Sequence, residues 1–373
     1  MHILFALPGL HRVERGAEVA FEAIAEHLAR TGRHEVTLVG SGQPISGRAY
    51  DFRHVPCAGR RRFEHWPKVP FLRTEFMYED LTFAAGLIAA GSFGADVTVT
   101  CSYPYTNWAL RRPLLGRRRP AHVFVTQNGD WPAASSASEA RFFGCEGLVC
   151  TNPIYFERNR QRWPSVLIPN GLEPERFRPG SASRAAFGLP TEGKLVLMVS
   201  ALEPGKRVIE AMRAVALVDG AHLVIAGDGP QRDEVDRLAG EILHGRFQRS
   251  TFPREAMPEL YRCADVFLHT KIEESFGNVY IEALSSGVPV VAHDDAVTRW
   301  IFDGRALLVD TRSSEQTAAA IYRALAMPRS DRDAGVAWAH ERFAWSHVAA
   351  QYEQFFETVL EQRRGRRTGD HDE

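Results

Sequence analysis

The chain has 373 residues, of which 45% are hydrophobic and 24% are charged, and these values predict a globular protein with two domains. Its 45 Lys and Arg residues nearly balance 46 Asp and Glu residues, which argues against a general attraction to nucleic acids or anionic membranes. Five cysteines without CxxC spacing indicate reduced thiols in a cytoplasmic protein and argue against a disulfide framework or a zinc site.

The first forty residues alternate between strand and helix patterns. HILFAL predicts a first strand, because its apolar run is short and lacks the basic n-region of a signal peptide. The loop PGLHRVERG then leads to AEVAFEAIAEHLARTG, whose apolar residues recur at helical spacing, and EVTLVG predicts the second strand. This is a βαβ unit, and its buried strands predict a parallel sheet.

A membrane could meet this chain only at its surface. The longest uncharged stretch, residues 81–95, falls short of the ~20 residues that a spanning helix needs. The arginines at 60–62, with Phe63 and Trp66 just beyond, either solvate a loop or form an acceptor or membrane-surface patch.

The strand–helix–strand pattern begins again at residue 194 with KLVLMVS, RVIEAMRAVALVDG and HLVIAG. Before it, IPNGLEPERFRPGSAS is rich in Pro, Gly and Ser and reads as a linker. We therefore predict an N-terminal domain at 1–167, a linker at 168–183, a C-terminal domain at 184–344, an amphipathic helix at about 345–362 that returns to the N-terminal domain, and a disordered tail at 363–373. Both domains are expected to be doubly wound α/β domains that face each other across a cleft.

The stretch EESFGNVYIEALSSGVPVVA, residues 273–292, carries two carboxylates. Glu274 falls in the loop after the strand DVFLH, and Glu282 lies about one turn into the next helix. The amides around Phe276, Gly277 and Asn278 form a helix N-terminus, which favours an anion. Two carboxylates beside an anion site suit the two diols and the diphosphate of a sugar nucleotide. The alternative is one helix-start Glu and one surface Glu.

The same stretch resembles the E-x7-E signature of the family 4 retaining glycosyltransferases, which have the GT-B fold. Further stretches resemble the family in the same order: GAEVAFEAIAEHLARTGRHEVTLV, IPNGLEPERFRP, VSALEPGKRVIEAM, LVIAGDGPQRDEV and MPELYRCADVFLHT. The resemblance implies two Rossmann-like domains, the first binding the acceptor and the second binding the nucleotide-sugar donor.

The resemblance also implies roles for individual residues. Glu274 would hold hydroxyls of the donor sugar, Glu282 would bind the ribose diol, and Lys206 would neutralise the leaving diphosphate. The donor-binding set implied in this way is Gly16, Lys206, Arg207, Gly227, Glu274, Phe276, Gly277, Asn278 and Glu282. Lys206 has the alternative of being a surface lysine. Gly16 either lets the backbone approach the phosphate or only shapes its loop.

Two of the departures from the family pattern concern the expected site directly. Ser200-Ala201-Leu202 stands where the family usually has Gly-Arg-Leu, so an arginine is missing from the phosphate site and Arg207 is its candidate replacement. The strand AHVFVTQ ends in NGDWP where many relatives place a histidine. Asn128 and Asp130 therefore join Glu274 and Lys206 as catalytic candidates, with a plain turn as the alternative.

The implied reaction is the retaining transfer of a hexosyl group from a nucleoside diphosphate sugar, with UDP or GDP sugars expected first. The acceptor would be a hydroxyl of a glycan, a lipid or a small molecule in cell-surface polysaccharide or glycoconjugate synthesis. The resemblance implies that no metal or other cofactor is needed. The consecutive residues His293, Asp294 and Asp295 resemble a metal cluster only by composition, because consecutive residues after a strand rarely converge on one ion. The expected location is the cytoplasm, at most peripheral at the inner membrane face. A sugar-nucleotide epimerase of GT-B fold and a non-catalytic sugar-nucleotide-binding subunit are the alternatives.

Overall fold

The computed structural model describes residues 1–91, 93–113 and 119–369, and the chain divides into two compact units. Unit 1 combines Met1–Asn170 with Trp345–Glu373, and unit 2 is Gly171–Ala344. Residues 168–183, the predicted linker, contain no helix or strand beyond an isolated bridge from Leu172 to Ala344.

Unit 1 is built on a parallel sheet of seven strands in the order β3-β2-β1-β4-β5-β6-β7. The strands are β1 (His2–Ala6), β2 (Glu35–Gly40), β3 (Asp51–His54), β4 (Val97–Thr100), β5 (Ala121–Val125), β6 (Gly147–Cys150) and β7 (Ser165–Leu167). The strand order reverses between β1 and β4, which makes this pair the switch point of the sheet.

Helices cover both faces of this sheet. Successive side chains of each strand point to opposite faces, so each face packs into its own hydrophobic core. The helices of unit 1 are α1 (Gly16–Arg30), α2 (Glu75–Ala89), α3 (Tyr105–Arg111), α4 (Trp131–Ala134), α5 (Pro153–Asn159) and the last helix of the chain, Trp345–Gly369. Ile3 and Phe5 pack in one core with α1 and the last helix, whereas Leu4 and Ala6 pack in a second core with α2 and α3.

Unit 2 repeats the design with six parallel strands in the order β10-β9-β8-β11-β12-β13. They are β8 (Lys194–Val199), β9 (Ala221–Ala226), β10 (Phe247–Ser250), β11 (Val266–His269), β12 (Val290–His293) and β13 (Leu307–Val309). Its helices are α6 (Val208–Ala216), α7 (Arg232–Ile242), α8 (Met257–Arg262), α9 (Asn278–Ser285), α10 (Ala296–Phe302), α11 (Ser314–Leu325) and α12 (Arg329–Phe343). The predicted α/β class with two doubly wound parallel sheets is confirmed.

The last helix, α13 (Trp345–Gly369), packs in the core of unit 1, which confirms the expected return of the C-terminal helix. It continues to Gly369 instead of ending at about 362, so residues 363–369 are helical where a disordered tail was predicted. Gln and Arg are good helix formers, and Arg363 Nη2 donates a hydrogen bond to the carbonyl of Arg119 at 2.5 Å. Residues 370–373 of that tail lie outside the described residues.

The sequence argues against a disulfide framework and against a membrane-spanning helix, and the structure bears on both. All five cysteines are free thiols. Within residues 1–91, 93–113 and 119–369, every helix is too short or too polar to cross a membrane.

Candidate active site

The centre of the candidate site is the carboxylate of Glu274, in the loop between β11 and α9. Lys206 Nζ donates a hydrogen bond to its Oε2 at 2.8 Å, and Lys271 Nζ donates to its Oε1 at 3.1 Å. The backbone N–H of Ser275 also donates to Oε1, at 3.2 Å, and His269 Nε2 lies 3.5 Å from Oε2. The structure therefore brings together two residues that the sequence assigned to the site, Lys206 and Glu274.

The position of Lys206 depends on the short 3-10 turn Pro204–Lys206, which follows β8 and precedes α6. The next residue, Arg207, has left-handed backbone angles of φ 55° and ψ 41°, which a side chain makes costly. Thr270, directly after β11, donates a hydrogen bond from Oγ1 to the Arg207 carbonyl at 2.7 Å. This bond ties the turn to the end of β11, so Lys206 is held beside Glu274.

The charge state of this centre follows from its neighbours. Burial acts to raise the pKa of Glu274, but its contacts with His269, Lys206 and Lys271 outweigh burial and hold the pKa far below the usual range. Burial has the opposite effect on His269, which is 1% exposed. It lowers the pKa of the ring and so favours the neutral form. Glu274 is therefore an ionised carboxylate that accepts hydrogen bonds and does not deliver a proton at neutral pH.

The loop from Phe276 to Asn278 contributes backbone amides at the N-terminus of α9. The Phe276 side chain is buried, with its ring 6.2 Å from that of Trp300 and 5.9 Å from that of Phe343. Gly277 caps α9 with a φ of 76°, and a Cβ there would lie 2.7 Å from the Tyr280 ring and 3.0 Å from Glu274 Cγ. Only glycine fits this turn, which places the N-terminus of α9 next to the carboxylate.

Glu282 lies within α9 and has its own partner. Tyr261 donates a hydrogen bond from its hydroxyl to Glu282 Oε2 at 2.8 Å. Burial raises the pKa of Glu282, and Tyr261, Arg254 and Arg176 offset part of that rise. The two carboxylates of the E-x7-E signature thus sit in different surroundings, one among cations and one beside a phenol.

Gly227, the first glycine of the Gly-Asp-Gly-Pro turn, is required because its backbone lies close to that of Ser200. A Cβ on Gly227 would lie 1.9 Å from the Ser200 carbonyl oxygen, so the ends of β8 and β9 touch through their backbones. Ala201, where the family arginine is missing, is exposed. Arg207 Nη2 lies 3.3 Å from Glu210 Oε1. Its role as the replacement for the missing arginine stays a prediction.

The remaining candidates belong to unit 1. Gly16 is the first residue of α1. Asn128 ends a 3-10 turn after β5, and its Nδ2 donates to the Cys101 carbonyl at 3.4 Å. Asp130 is buried and accepts hydrogen bonds from Arg158 Nη1 at 3.1 Å and Asn159 Nδ2 at 2.8 Å. These contacts hold the Asp130 carboxylate against α5. A catalytic role for Asn128 or Asp130 stays a prediction.

The three consecutive residues after β12 point to different partners. Asp294 accepts hydrogen bonds from Arg299 Nε at 2.6 Å and from Arg299 Nη2 at 2.9 Å. Asp295 caps α10, and His293 Nδ1 lies 3.1 Å from Thr311 Oγ1. Across the described part of the chain, no group of three or more His, Cys, Asp or Glu side chains is arranged to hold a metal ion.

Sequence reasoning missed a cluster of charges in unit 1, which we call the Glu79 cluster: Arg12, Arg15, Glu18, Arg60 and Glu79. Glu79 on α2 is bonded by Arg12 and by Arg60 Nε, the latter at 2.7 Å, and lies 3.9 Å from Arg15 Nη1. A signal for it exists in the sequence, because Glu79 interrupts the apolar helix EFMYEDLTFAAGLIA. Acids on a buried helix face need partners.

Parts of this chain resemble known proteins in sequence. Residues 181–337 match the family described as glycosyl transferases group 1. The D-inositol 3-phosphate glycosyltransferase of Mycolicibacterium smegmatis is 34% identical over 238 residues, which cover 56% of this chain and 53% of that protein. The enzyme of the same name from Acidothermus cellulolyticus is 32% identical over 218 residues, covering 53% of this chain and 49% of that protein. The chain thus spans about half the length of these curated relatives.

Solved structures extend the likeness to the whole fold. Sucrose-phosphate synthase from Thermosynechococcus elongatus superposes with a TM-score of 0.79 at 20% identity, covering 97% of this chain and 99% of that one. The Anabaena protein HepE, solved in complex with UDP and glucose, gives a TM-score of 0.71 at 17% identity, covering 96% of this chain and 100% of that one. Residues 181–337 are thus similar to the group 1 glycosyltransferases, and the chain, with its two parallel-sheet units, has the GT-B fold.

Proposed function

We propose that the protein transfers a hexosyl group from a nucleoside diphosphate sugar to an acceptor hydroxyl, with retention of the anomeric configuration and without a metal ion. The observation that carries this proposal is the 2.8 Å hydrogen bond from Lys206 Nζ to Glu274 Oε2, at the carboxyl end of β11 and beside the N-terminus of α9. Ligands of open α/β sheets bind at this edge.

In the proposed reaction, the bond from the anomeric carbon to the diphosphate oxygen breaks and the acceptor oxygen bonds to the same carbon. Negative charge grows on the leaving diphosphate, and the Lys206 ammonium and the α9 amides stabilise it. The acceptor hydroxyl passes its proton to an oxygen of the leaving diphosphate as it attacks, so the products are the glycoside and the protonated nucleoside diphosphate. These fixed positive groups take the part that a divalent ion plays in other transferases.

The two glutamates would hold the donor at its two ends. The ionised Glu274 accepts hydrogen bonds from hydroxyls of the hexose, since its pKa is held low by His269 and Lys206. Glu282 accepts from the ribose diol and is oriented by the Tyr261 hydroxyl. We propose a UDP sugar as the first donor to test, because HepE was solved with UDP and glucose.

Unit 1 would supply the acceptor site. The curated relatives are named for transfer to D-inositol 3-phosphate, which supports a small polyol or its phosphate as a first acceptor to test. Contact with a membrane surface is a further part of the proposal, supported by the exposed Arg61, Arg62 and Trp66.

One observation favours a second candidate, a subunit that binds a sugar nucleotide without catalysis. Ala201 stands exposed where the family arginine would add a second positive charge to the diphosphate site. Such a subunit would bind the donor and transfer nothing.

The experiment that separates the candidates combines donor binding with product detection. The purified chain is screened by thermal shift against UDP, GDP, ADP and TDP sugars, and the best donor is then incubated with a panel of acceptors. We expect one nucleotide to raise the melting temperature and mass spectrometry to show a new hexosylated product. Donor binding without product supports the non-catalytic subunit, and a rearranged donor without product identifies an epimerase. Absence of any donor binding contradicts all three.

A further inference from the structure

The arginines of the Glu79 cluster are not used by the proposed donor site. Arg12 contacts Glu79 Oε1, Arg60 Nε donates to Oε2 at 2.7 Å, and Arg15 Nη1 lies 3.9 Å from the same oxygen. The Glu79 side chain is 1% exposed, whereas those of Arg12, Arg15 and Arg60 are 26%, 40% and 37% exposed. The carboxylate is thus an internal anchor, and the guanidinium groups extend from it toward solvent.

Positive charge is in excess in this cluster. Three guanidinium groups surround Glu79, and the only other acid of the cluster is Glu18, whose Oε1 lies 3.9 Å from Arg15 Nη1. Burial raises the pKa of Glu18, with partial compensation from its own backbone N–H and from Arg15 and Arg60, so its negative charge is disfavoured. The cluster therefore attracts an anion.

One donor of the cluster also lacks an acceptor. Arg15 Nη1 is a buried atom with no hydrogen-bond partner among the described residues. A buried guanidinium N–H without an acceptor is costly, and an oxyanion is the natural acceptor for it because the planar fork of arginine matches its oxygens.

The cluster lies where α/β proteins bind ligands. Arg12 and Arg15 belong to the loop between β1 and α1, at the carboxyl end of β1 and so at the switch point between β1 and β4. Arg15 is also the N-cap of α1 and makes no side-chain capping bond, so the helix N-terminus adds its own preference for negative charge. Ser102, just after β4, is buried and its hydroxyl has no hydrogen-bond partner among the described residues.

We propose that Arg12, Arg15 and Arg60 form an oxyanion site that recognises a phosphomonoester on the acceptor. Glu79 holds Arg12 and Arg60 in place, and the N–H groups that it leaves free bind the phosphate oxygens together with Arg15 Nη1. The description of this phosphate as part of the acceptor rests on the proposed function, whereas the oxyanion site itself rests only on the geometry of unit 1.

The site is tested without activity by NMR of the full chain with 15N-labelled arginine. Inorganic phosphate replaces chloride at constant ionic strength while UDP is held at saturation, and the Nε signals are assigned with the variants Arg15→Gln, Arg60→Gln and Arg61→Gln. We expect the Arg15 and Arg60 signals to shift along one saturable curve. Arg61 is the matched control, because it is exposed in the same 3-10 turn, and its signal should not follow that curve.

The titration is repeated without UDP, and three results overturn the proposal: no saturable shift in either titration, an equal shift of Arg61, or a saturable shift that appears only when UDP is omitted. The last would show that the cluster serves the donor diphosphate. Arg15→Gln should remain folded by circular dichroism, since both ionic contacts of Arg15 are as long as 3.9 Å.

A kinetic measurement tests whether the phosphate belongs to the acceptor. We expect Arg15→Gln to lower kcat/KM for inositol 3-phosphate about tenfold or more relative to its effect on inositol, because one charge-assisted hydrogen bond is lost. An equal effect on both acceptors would show a structural role for Arg15 and would reject the proposal. If the wild type transfers sugar to no acceptor, the proposed function fails, and the arginine titration still decides the oxyanion site.

Discussion

Lys206 and Glu274 are 68 residues apart in the chain, and the structure joins them by a hydrogen bond of 2.8 Å. Their neighbours fix the geometry further, since Thr270 ties the turn of Lys206 to the end of β11. In the proposed reaction, a cation held in this way would need little rearrangement as the diphosphate leaves, which is the condition for electrostatic stabilisation of a transition state.

Replacement of Lys206 tests this arrangement. We expect Lys206→Ala to lower kcat by roughly a hundredfold, the effect typical of losing one preorganised charge at a developing anion. Lys271→Ala is the matched control, because Lys271 bonds the opposite oxygen of the same carboxylate, and its effect should be much smaller. Steady-state transfer assays measure both. Equal losses in the two variants would contradict a specific role for Lys206.

The ionisation of Glu274 predicts a pH-dependent stability. Its folded pKa lies below the ordinary 4.5, so the carboxylate stabilises the fold above pH 4.5, and this contribution is lost as the pH falls below that value. Glu274→Gln leaves two lysines without their counter-ion and should lower the urea midpoint at pH 7. The difference from wild type should shrink steadily below pH 4.5. A difference that is constant from pH 7 to pH 3 would contradict the assigned pKa direction.

At the scale of elements, the strands and helices with strong periodicity could be predicted from the sequence. The first βαβ pattern became β1, α1 and β2, and the pattern from residue 194 became β8, α6 and β9. The partners of buried charges could not be predicted in this way. Arg12 and Glu79 are 67 residues apart, and Tyr261 and Glu282 are 21 apart, so only the three-dimensional fold brings each pair together.

The turn before α9 gives a test at this scale. Gly277→Ala would place a methyl group 2.7 Å from the Tyr280 ring in a backbone with φ 76°, at a cost of roughly 1–3 kcal/mol. Gly304 is the matched control, since its φ is 82° and a Cβ there meets nothing within 4 Å. We expect both variants to lower the melting temperature. Only Gly277→Ala should also abolish the thermal shift with donor, and retention of that shift would contradict the proposed donor loop.

The last helix provides a second test. The Phe356 side chain is fully buried, and its ring lies 6.3 Å from Phe5 and 5.9 Å from Tyr352. Phe356→Ala should lower the free energy of unfolding by about 3–5 kcal/mol, because it leaves a cavity in the core of unit 1. Gln354→Ala changes an exposed position of the same helix and should stay within about 0.5 kcal/mol. Urea denaturation measures both, and similar values would show that α13 is not part of this core.

At the scale of the whole molecule, a formal charge of −1 gives no overall attraction to an anionic surface. Any binding to lipid must therefore come from a local patch, and the exposed Arg61, Arg62 and Trp66 form the one proposed here. The substrates were less accessible to sequence reasoning than the fold. In the proposed function the exposed side chains of unit 1 would choose the acceptor, and exposed side chains carry no periodic signal.

Sedimentation with vesicles tests this patch. The full chain should co-sediment with vesicles that contain phosphatidylglycerol and not with pure phosphatidylcholine. The double variant Arg61→Glu, Arg62→Glu should remain in the supernatant, whereas Arg213→Glu, Arg323→Glu, which changes exposed positions of unit 2, should bind as the wild type does. Equal binding by the two double variants would locate the contact elsewhere.

The return of α13 to unit 1 has a consequence for biosynthesis. Because translation is vectorial, the ribosome completes Gly171–Ala344 before it makes the helix that covers Phe5 and Phe21. Unit 2 can thus fold on the ribosome while one apolar face of unit 1 is still uncovered. A chain truncated after Ala344 would leave that face exposed permanently and should be prone to aggregate.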